Sequence, residues 1–491
     1  MLPLLARTFY RLQEQMLGRQ TFAILKELER SQWWPRQRLE ELQLWRLQDV
    51  VAKAYQHTPY WRAVMNEAGF SPADVHSLAD LRRFPLVEKE TIRARREEMV
   101  WRGEGPRTQL VRTSGSTNEA LQFYTNSNRE AHINAARIRG HEWVGVRKGE
   151  REMYFWGSPV ELNKQDRVKR IRDWFISDGL TNGFAIRPEL VPQYFDYWKR
   201  WRPKCIFGYP CSFVLMITMA RSVGIDLGAL RELGLETIVT TSEMLTDIDR
   251  QTIALAFGVP VYDSYGLREV GLVGHECEHQ TMHCTDEQLI LETIDPSSLE
   301  PTDGEGELVL TNIMSPVMPI IRYRTGDIVT LSDKPCPCGR ALSSIKISGG
   351  RVADFVVTNH GVWIPGYAFI YICRAVPGIV KFQVHQERKG QIRVLLATDG
   401  NFPLDGARLV CEAVRKRLNS DDEILVKLID DIRPAPSGKY RPVIGKLAQE
   451  LLKGNGRSNG NATAQSRTHA RATHGQGGGI TGSDEASDQT E

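Results

Sequence analysis

The chain has 491 residues, 41% hydrophobic and 25% charged, and carries a net charge of +3. That length exceeds one ordinary domain of ~100–200 residues and predicts roughly two to four units. The small, mixed charge excludes an electrostatic argument for nucleic acid or an anionic membrane, and no apolar run approaches the ~20 residues that span a bilayer.

The opening stretch, MLPLLARTFYRLQEQMLGR, interrupts its apolar patch with Arg7 and Arg11. It lacks the unbroken core and small-residue cleavage site of a signal peptide. It reads as a helix docked on the body, with an amphipathic helix on a membrane surface as the alternative. The chain is expected in the cytoplasm, without stable membrane insertion. Residues 30–100 carry Trp, Leu and Arg at helical spacing, and RQRLEELQLWRLQDVVAKAYQH has no internal Gly or Pro, which predicts helices.

From about residue 110 to 330 the pattern changes. Strand-like runs (MYFW, KCIFGY, ETIVTT, VPVYDSYG, GELVLTNI) alternate with helical ones such as DIDRQTIALAF and the apolar stretch Cys211 to Ala220. This predicts an α/β fold built around a mainly parallel sheet. The glycine pair of ISGGR, residues 347–351, suits a flexible junction. Beyond it, DFVVT, KFQVHQ, QIRVLLAT and ILVKLI read as strands and RLVCEAVRKRL as an amphipathic helix, so a small α+β unit is expected. The boundaries drawn are 1–348 for the helical segment and large domain, 349–453 for a small mobile domain, and 454–491 for a tail. That tail is rich in Gly, Ser, Asn and Thr and almost free of large apolar residues, so it is expected to be disordered.

Four motifs carry chemistry. VRTSGSTNEALQFYT (111–125) surrounds Gly115 with the hydroxyls of Thr113, Ser114, Ser116 and Thr117. Such a turn can wrap polyphosphate oxygens or be a polar hairpin, and it is not a Lys-bearing P-loop. VYDSYGLREVG (261–271) brings Tyr265, Gly266 and Glu269 to the end of a strand. There Tyr265 can stack on a base and Glu269 can hold Mg²⁺, a hard cation that takes carboxylate oxygens; the plain alternative is a strand end with a surface carboxylate. In YRTGDIV (323–329), Asp327 can accept from a ribose diol or serve its own turn. In PSGKYR (436–441), Lys439 follows a flexible Ser-Gly pair and can swing toward developing negative charge, although most lysines are solvated surface groups.

In their order and spacing these motifs resemble those of the acyl-adenylate-forming superfamily over about residues 30–450. The resemblance is closest to its phenylacetate–CoA ligase branch, including the capsular-polysaccharide-biosynthesis-type members, through YQHTPYWRAV, the TSGST loop followed by FYT, and CPCGR before the junction. The resemblance implies a large adenylate-forming domain with a small C-terminal lid, and assigns roles. Thr113, Ser114, Gly115, Ser116 and Thr117 hold the ATP phosphates; Tyr265 covers adenine beside Gly266, Ser242 and Glu243. Glu269 binds Mg²⁺, Asp327 and Arg351 fix the ribose, and Lys439 reaches the carboxylate oxygen and α-phosphate.

Two departures stand out. The loop reads TSGSTNEAL, without its usual final Gly and Lys, and YGLRE puts Arg268 where Thr is usual. Arg268 can replace the lost cation; the alternative is a degenerate pocket. A carboxylate such as Glu276 is the competing partner for Arg268.

Cys277, His279, His283 and Cys284 lie in HECEHQTMHC, and Cys336 and Cys338 in PCPCGR. Thiolate with imidazole suits tetrahedral Zn²⁺, and buried reduced cysteines with incidental histidines are the alternative. The resemblance favours Cys277, His283, Cys336 and Cys338 and implies a structural zinc. The activity it implies is ATP-dependent activation of a small carboxylic acid, then transfer to a thiol, coenzyme A by preference. An amine, hydroxyl or carrier protein is the alternative acceptor, and a non-catalytic scaffold the second alternative. A homodimer is left open.

Overall fold

The computed structural model describes residues 2–112, 121–156, 172–183, 186, 188–242, 245, 247–295, 298–349, 355–365, 367–398, 400–432 and 443–448. The N-terminal segment is helical: α1 (Pro3–Met16), α2 (Thr21–Ser31), α3 (Arg36–His57), α4 (Pro59–Glu67) and α5 (Lys89–Met99). Prolines open α1 and α4, where a missing N–H costs nothing. The β1 (Gln109–Arg112) and β2 (Gln122–Thr125) strands then pair antiparallel. The hydroxyl-rich loop is the connection between them and lies outside the described residues. Helix α6 (Ser127–Trp143) follows, its N-cap Asn126 accepting from the Arg129 amide at 2.9 Å.

The large sheet has eleven strands among the described residues. They are β3 (Glu152–Trp156), β4 (Asp178–Asn182), β5 (Cys205–Gly208), β6 (Thr237–Thr241), β7 (Val261–Leu267), β8 (Gly271–Glu276), β9 (Met282–Cys284), β10 (Leu289–Ile294), β11 (Glu305–Asn312), β12 (Tyr323–Ser332) and β13 (Ser344–Gly349). Their order is β10-β11-β12-β13-β9-β8-β7-β6-β5-β3-β4. Strands β4, β3, β5, β6 and β7 run parallel, joined through α7 (Val191–Trp201), α8 (Pro210–Ser222) and α9 (Asp247–Phe257). All five residues of β6 are buried, as expected of a parallel strand covered on both faces.

The sheet is therefore mixed rather than mainly parallel. After β7 the chain reverses through a tight hairpin, and every later pairing in this sheet is antiparallel. One core, with Phe155, Trp198, Phe213 and Phe257, packs around the parallel half. Another joins the antiparallel half to the N-terminal helices through Trp61, Phe84 and Tyr323. Two buried polar contacts tie these elements: the Trp61 indole donates to the Pro319 carbonyl at 3.0 Å, and Arg139 pairs with Glu287 at 2.6 Å with both side chains buried.

Toward the C-terminus, β14 (Phe355–Val357) pairs with β15 (Trp363–Pro365). A second sheet comprises β16 (Ile379–Gln386), β17 (Gln391–Thr398), β18 (Glu423–Leu428) and β19 (Val443–Gly445), ordered β18-β17-β16-β19. Helices α10 (Tyr367–Ala375) and α11 (Gly406–Leu418) share its core through Phe369, Phe382, Val394 and Val410. Asn419 ends α11 in the left-handed region at φ 46°, a usual helix stop. No helix among the described residues is long and apolar enough to cross a membrane.

Candidate active site and metal centre

Parallel strands collect ligands outside their carboxyl ends. Here those ends carry Trp156, Gly208, Thr241 and the Tyr265–Leu267 segment. Ser242, just past β6, is a non-glycine residue at φ 68°, a strained conformation that tends to gather at functional sites. Gly266 sits where the β7–β8 register shifts, and a Cβ there would lie 2.9 Å from the Gly271 carbonyl oxygen. Glycine is thus required for the hairpin that turns Glu269 inward.

Two tyrosine–carboxylate bonds tie this hairpin to β12. The Tyr265 hydroxyl donates to Asp327 Oδ2 at 2.7 Å, and the buried Tyr323 hydroxyl donates to Glu269 Oε1 at 2.7 Å. The partners are 62 and 54 residues apart in sequence. Glu269, which the sequence alone left as a plausible surface group, is only 5% exposed. A carboxylate has about four acceptor sites, so one tyrosine bond fixes its orientation while leaving capacity for a ligand.

Arg268, between these groups, is exposed. It does not pair with Glu276: both oxygens of that carboxylate are taken by Arg250, at 2.8 and 2.6 Å. Its backbone carbonyl instead accepts from Arg129 Nη2 at 2.8 Å. Arg129 is a residue that sequence reasoning missed. It is buried on the first turn of α6, and its Nη1 donates to Thr125 Oγ1 at 3.2 Å. Burial pushes its guanidinium down to about 10 against the opposing pull of Glu130 and Glu269. Nearby in β7, burial pushes the Asp263 carboxyl up to about 7, although Thr240 donates to it at 2.7 Å. Thr113, Ser114, Gly115, Ser116, Thr117, Glu243, Arg351 and Lys439 lie outside the described residues.

The cysteine–histidine group assembles as a compact set. The donor atoms of Cys277, His283, Cys336 and Cys338 all lie within 4.8 Å of one another. Cys277 Sγ and Cys336 Sγ are 3.8 Å apart, and His283 Nε2 is 3.2 Å from Cys338 Sγ. A tetrahedral metal with metal–sulfur bonds of about 2.3 Å needs sulfur–sulfur edges of about 3.8 Å. The His283 Nδ1–H donates to the Leu342 carbonyl at 3.2 Å, which aims the Nε2 lone pair at the thiols. His279 contributes its backbone amide to Cys277 Sγ at 3.4 Å, and Cys284 is buried in the apolar core. On the loop between the two cysteine pairs and β13, Arg340 lies between the rings of Trp33 and Trp143, 5.0 and 4.7 Å from their centroids.

A family model described as the CapK C-terminal domain matches residues 356–446. Phenylacetate-coenzyme A ligase of Thermus thermophilus is 28% identical over 374 residues, which cover 73% of this chain and 80% of that one. Protein CapK of Staphylococcus aureus is 23% identical over 422 residues, covering 83% and 90%. The chain is thus similar over most of its length to phenylacetate–CoA ligases and to CapK, and its C-terminal part matches the CapK family model. Among solved structures, a 2-hydroxyisobutyryl-CoA ligase in complex with 2-HIB-AMP and CoA in the thioesterification state aligns with a TM-score of 0.58. The identity is 19%, over 87% of this chain and 94% of that one, so this likeness shows the fold alone. That fold joins a large mixed α/β sheet to a smaller C-terminal part, and in this chain the two tyrosine–carboxylate bonds lie within the large sheet.

Proposed function

We propose that the chain is an AMP-forming acid–thiol ligase. It joins a small carboxylic acid to the α-phosphorus of ATP, releasing pyrophosphate, and then passes the acyl group from AMP to the thiol of coenzyme A. The observation that carries this reading is the paired frame at the β7 end, Tyr265 on Asp327 and Tyr323 on Glu269. It sets a diol acceptor and a buried cation ligand side by side at the carboxyl ends of parallel strands.

A carboxylate is a poor electrophile, and attack on phosphorus gathers anionic charge on the phosphate oxygens. Groups fixed in advance stabilise that charge without reorganisation. We assign Thr113 to Thr117 to the phosphates, Tyr265 with Ser242 and Glu243 to adenine, and Asp327 with Arg351 to the ribose. Gly266 lets the ligand approach the backbone. Glu269 would hold Mg²⁺, which neutralises phosphate charge when bound, and Lys439 would reach the reacting oxygens from the mobile C-terminal domain. In the second half-reaction the thiolate attacks the acyl carbonyl, and AMP departs with the bonding pair. We place the protein in the cytoplasm, where ATP and coenzyme A are available.

Acid-dependent pyrophosphate exchange across a panel of small acids, followed by thioester assay with coenzyme A, tests the reading. Exchange with an acid and consumption of the thiol are expected. Exchange without thioester would favour a second reading, transfer to an amine, hydroxyl or carrier protein. The CapK-type match at residues 356–446 is the observation that favours that alternative. Absence of exchange with every acid would leave a non-catalytic scaffold.

Cys277, His283, Cys336 and Cys338 would hold a structural Zn²⁺, stapling the β8–β9 hairpin to the segment before β13. The purified protein is expected to contain close to one equivalent of zinc. Cys336→Ser should lower both zinc content and melting temperature, with activity falling only as folding falls. Metal-free protein from reducing, zinc-replete expression would rule this assignment out.

A further inference from the structure

Helix α1 is fixed to the body by one face and leaves a second apolar face uncovered. Ala6, Tyr10 and Glu14 are buried. Tyr10 packs edge-on to Phe22 with the Lys148 ammonium 4.8 Å from its ring centroid, and Glu14 accepts from Thr21, Arg19 and Asn134. Leu2, Leu5, Phe9, Leu12 and Met16 are nevertheless exposed, from 43% at Phe9 to 75% at Met16, and Leu4 is exposed to one side of them. Trp174 and Phe175 extend the patch, the Phe175 ring lying 5.2 Å from that of Phe9.

Leu2, Leu5, Phe9, Leu12 and Met16, apart from Leu4, recur at alternating intervals of three and four residues, the narrow stripe by which one helix packs along another. A membrane-surface helix instead presents a broad apolar face bordered by basic residues. At about 100° per residue, the stripe is bordered by Thr8, Gln13 and Gln15, with Leu4 beyond Gln15, while Arg7 and Arg11 fall on the far side. Arg172 and Asp173, beside the aromatic pair, bond to each other. A copy of this surface therefore meets itself without opposing like charges. With ordinary side-chain areas, the seven residues expose on the order of 700 Å², close to the roughly 800 Å² per partner of a stable interface.

We propose that this seam joins two copies of the chain through an antiparallel α1–α1 pair on a two-fold axis near Phe9. Phe9 then meets Phe9, Leu5 meets Leu12 of the second copy, and Leu2 meets Met16, the self-complementary pattern of a two-fold dimer. Sedimentation equilibrium of the full chain should give twice 55.7 kDa. Phe9→Glu with Leu12→Glu should give the monomer mass while preserving acid-dependent pyrophosphate exchange. Independently, Phe9→Cys should form a covalent dimer on mild oxidation, and Arg11→Cys, on the opposite side of the helix, should not. A wild-type monomer, or a dimer indifferent to both the charge reversal and the Cys position, would overturn the proposal. So would a monomer that floats with phosphatidylcholine–phosphatidylglycerol vesicles, which would assign the seam to lipid.

Discussion

Lys439→Ala is expected to slow acyl-adenylate formation by on the order of a thousandfold or more, the scale of removing a preorganised charge partner from a transition state. Thioester formation from supplied acyl-AMP should be spared. The separation follows from the proposed position of Lys439 on a mobile domain, where one domain face serves one half-reaction. Pyrophosphate exchange reads the first step, and coenzyme A consumption from synthetic acyl-AMP reads the second. Equal loss of both in a folded variant would remove Lys439 from the adenylation step.

Arg268→Thr should weaken ATP use by roughly 2–4 kcal/mol in transition-state terms. The motif predicts this because a cation is missing from the loop proposed to hold the phosphates and another appears in YGLRE. The structure strengthens the premise. Glu276, the competing partner, is held by Arg250, and the Arg268 backbone is clamped by Arg129 while its side chain is exposed. Guanidinium stays charged at any working pH and bonds phosphate oxygens through a fork. Adding Asn118→Gly and Glu119→Lys to Arg268→Thr should recover part of the loss by restoring the commoner loop. Unchanged KM and kcat for ATP in the single variant would show that Arg268 does not face the phosphates.

The sequence by itself determined the order of elements, because hydrophobic period and helix- or strand-forming composition are local properties. The segment DIDRQTIALAF became α9 with those bounds, and RLVCEAVRKRL lies within α11. It also supplied the candidate motifs. What it could not supply was strand direction: VPVYDSYG read as a strand, but the hairpin at Leu267–Gly271 that leads into β8 and turns a parallel sheet into a mixed one did not.

The candidate metal ligands divide the same way. Six candidates were legible as residue types, and alternation along β9 decided between two of them. His283 and its neighbour Cys284 point to opposite faces, so one meets the thiols and the other enters the core. The tyrosine–carboxylate bonds, the Arg129 clamp and the uncovered face of α1 were not legible. Each depends on groups distant in sequence meeting across the fold, and local pattern carries no record of which surfaces the chain will bring together.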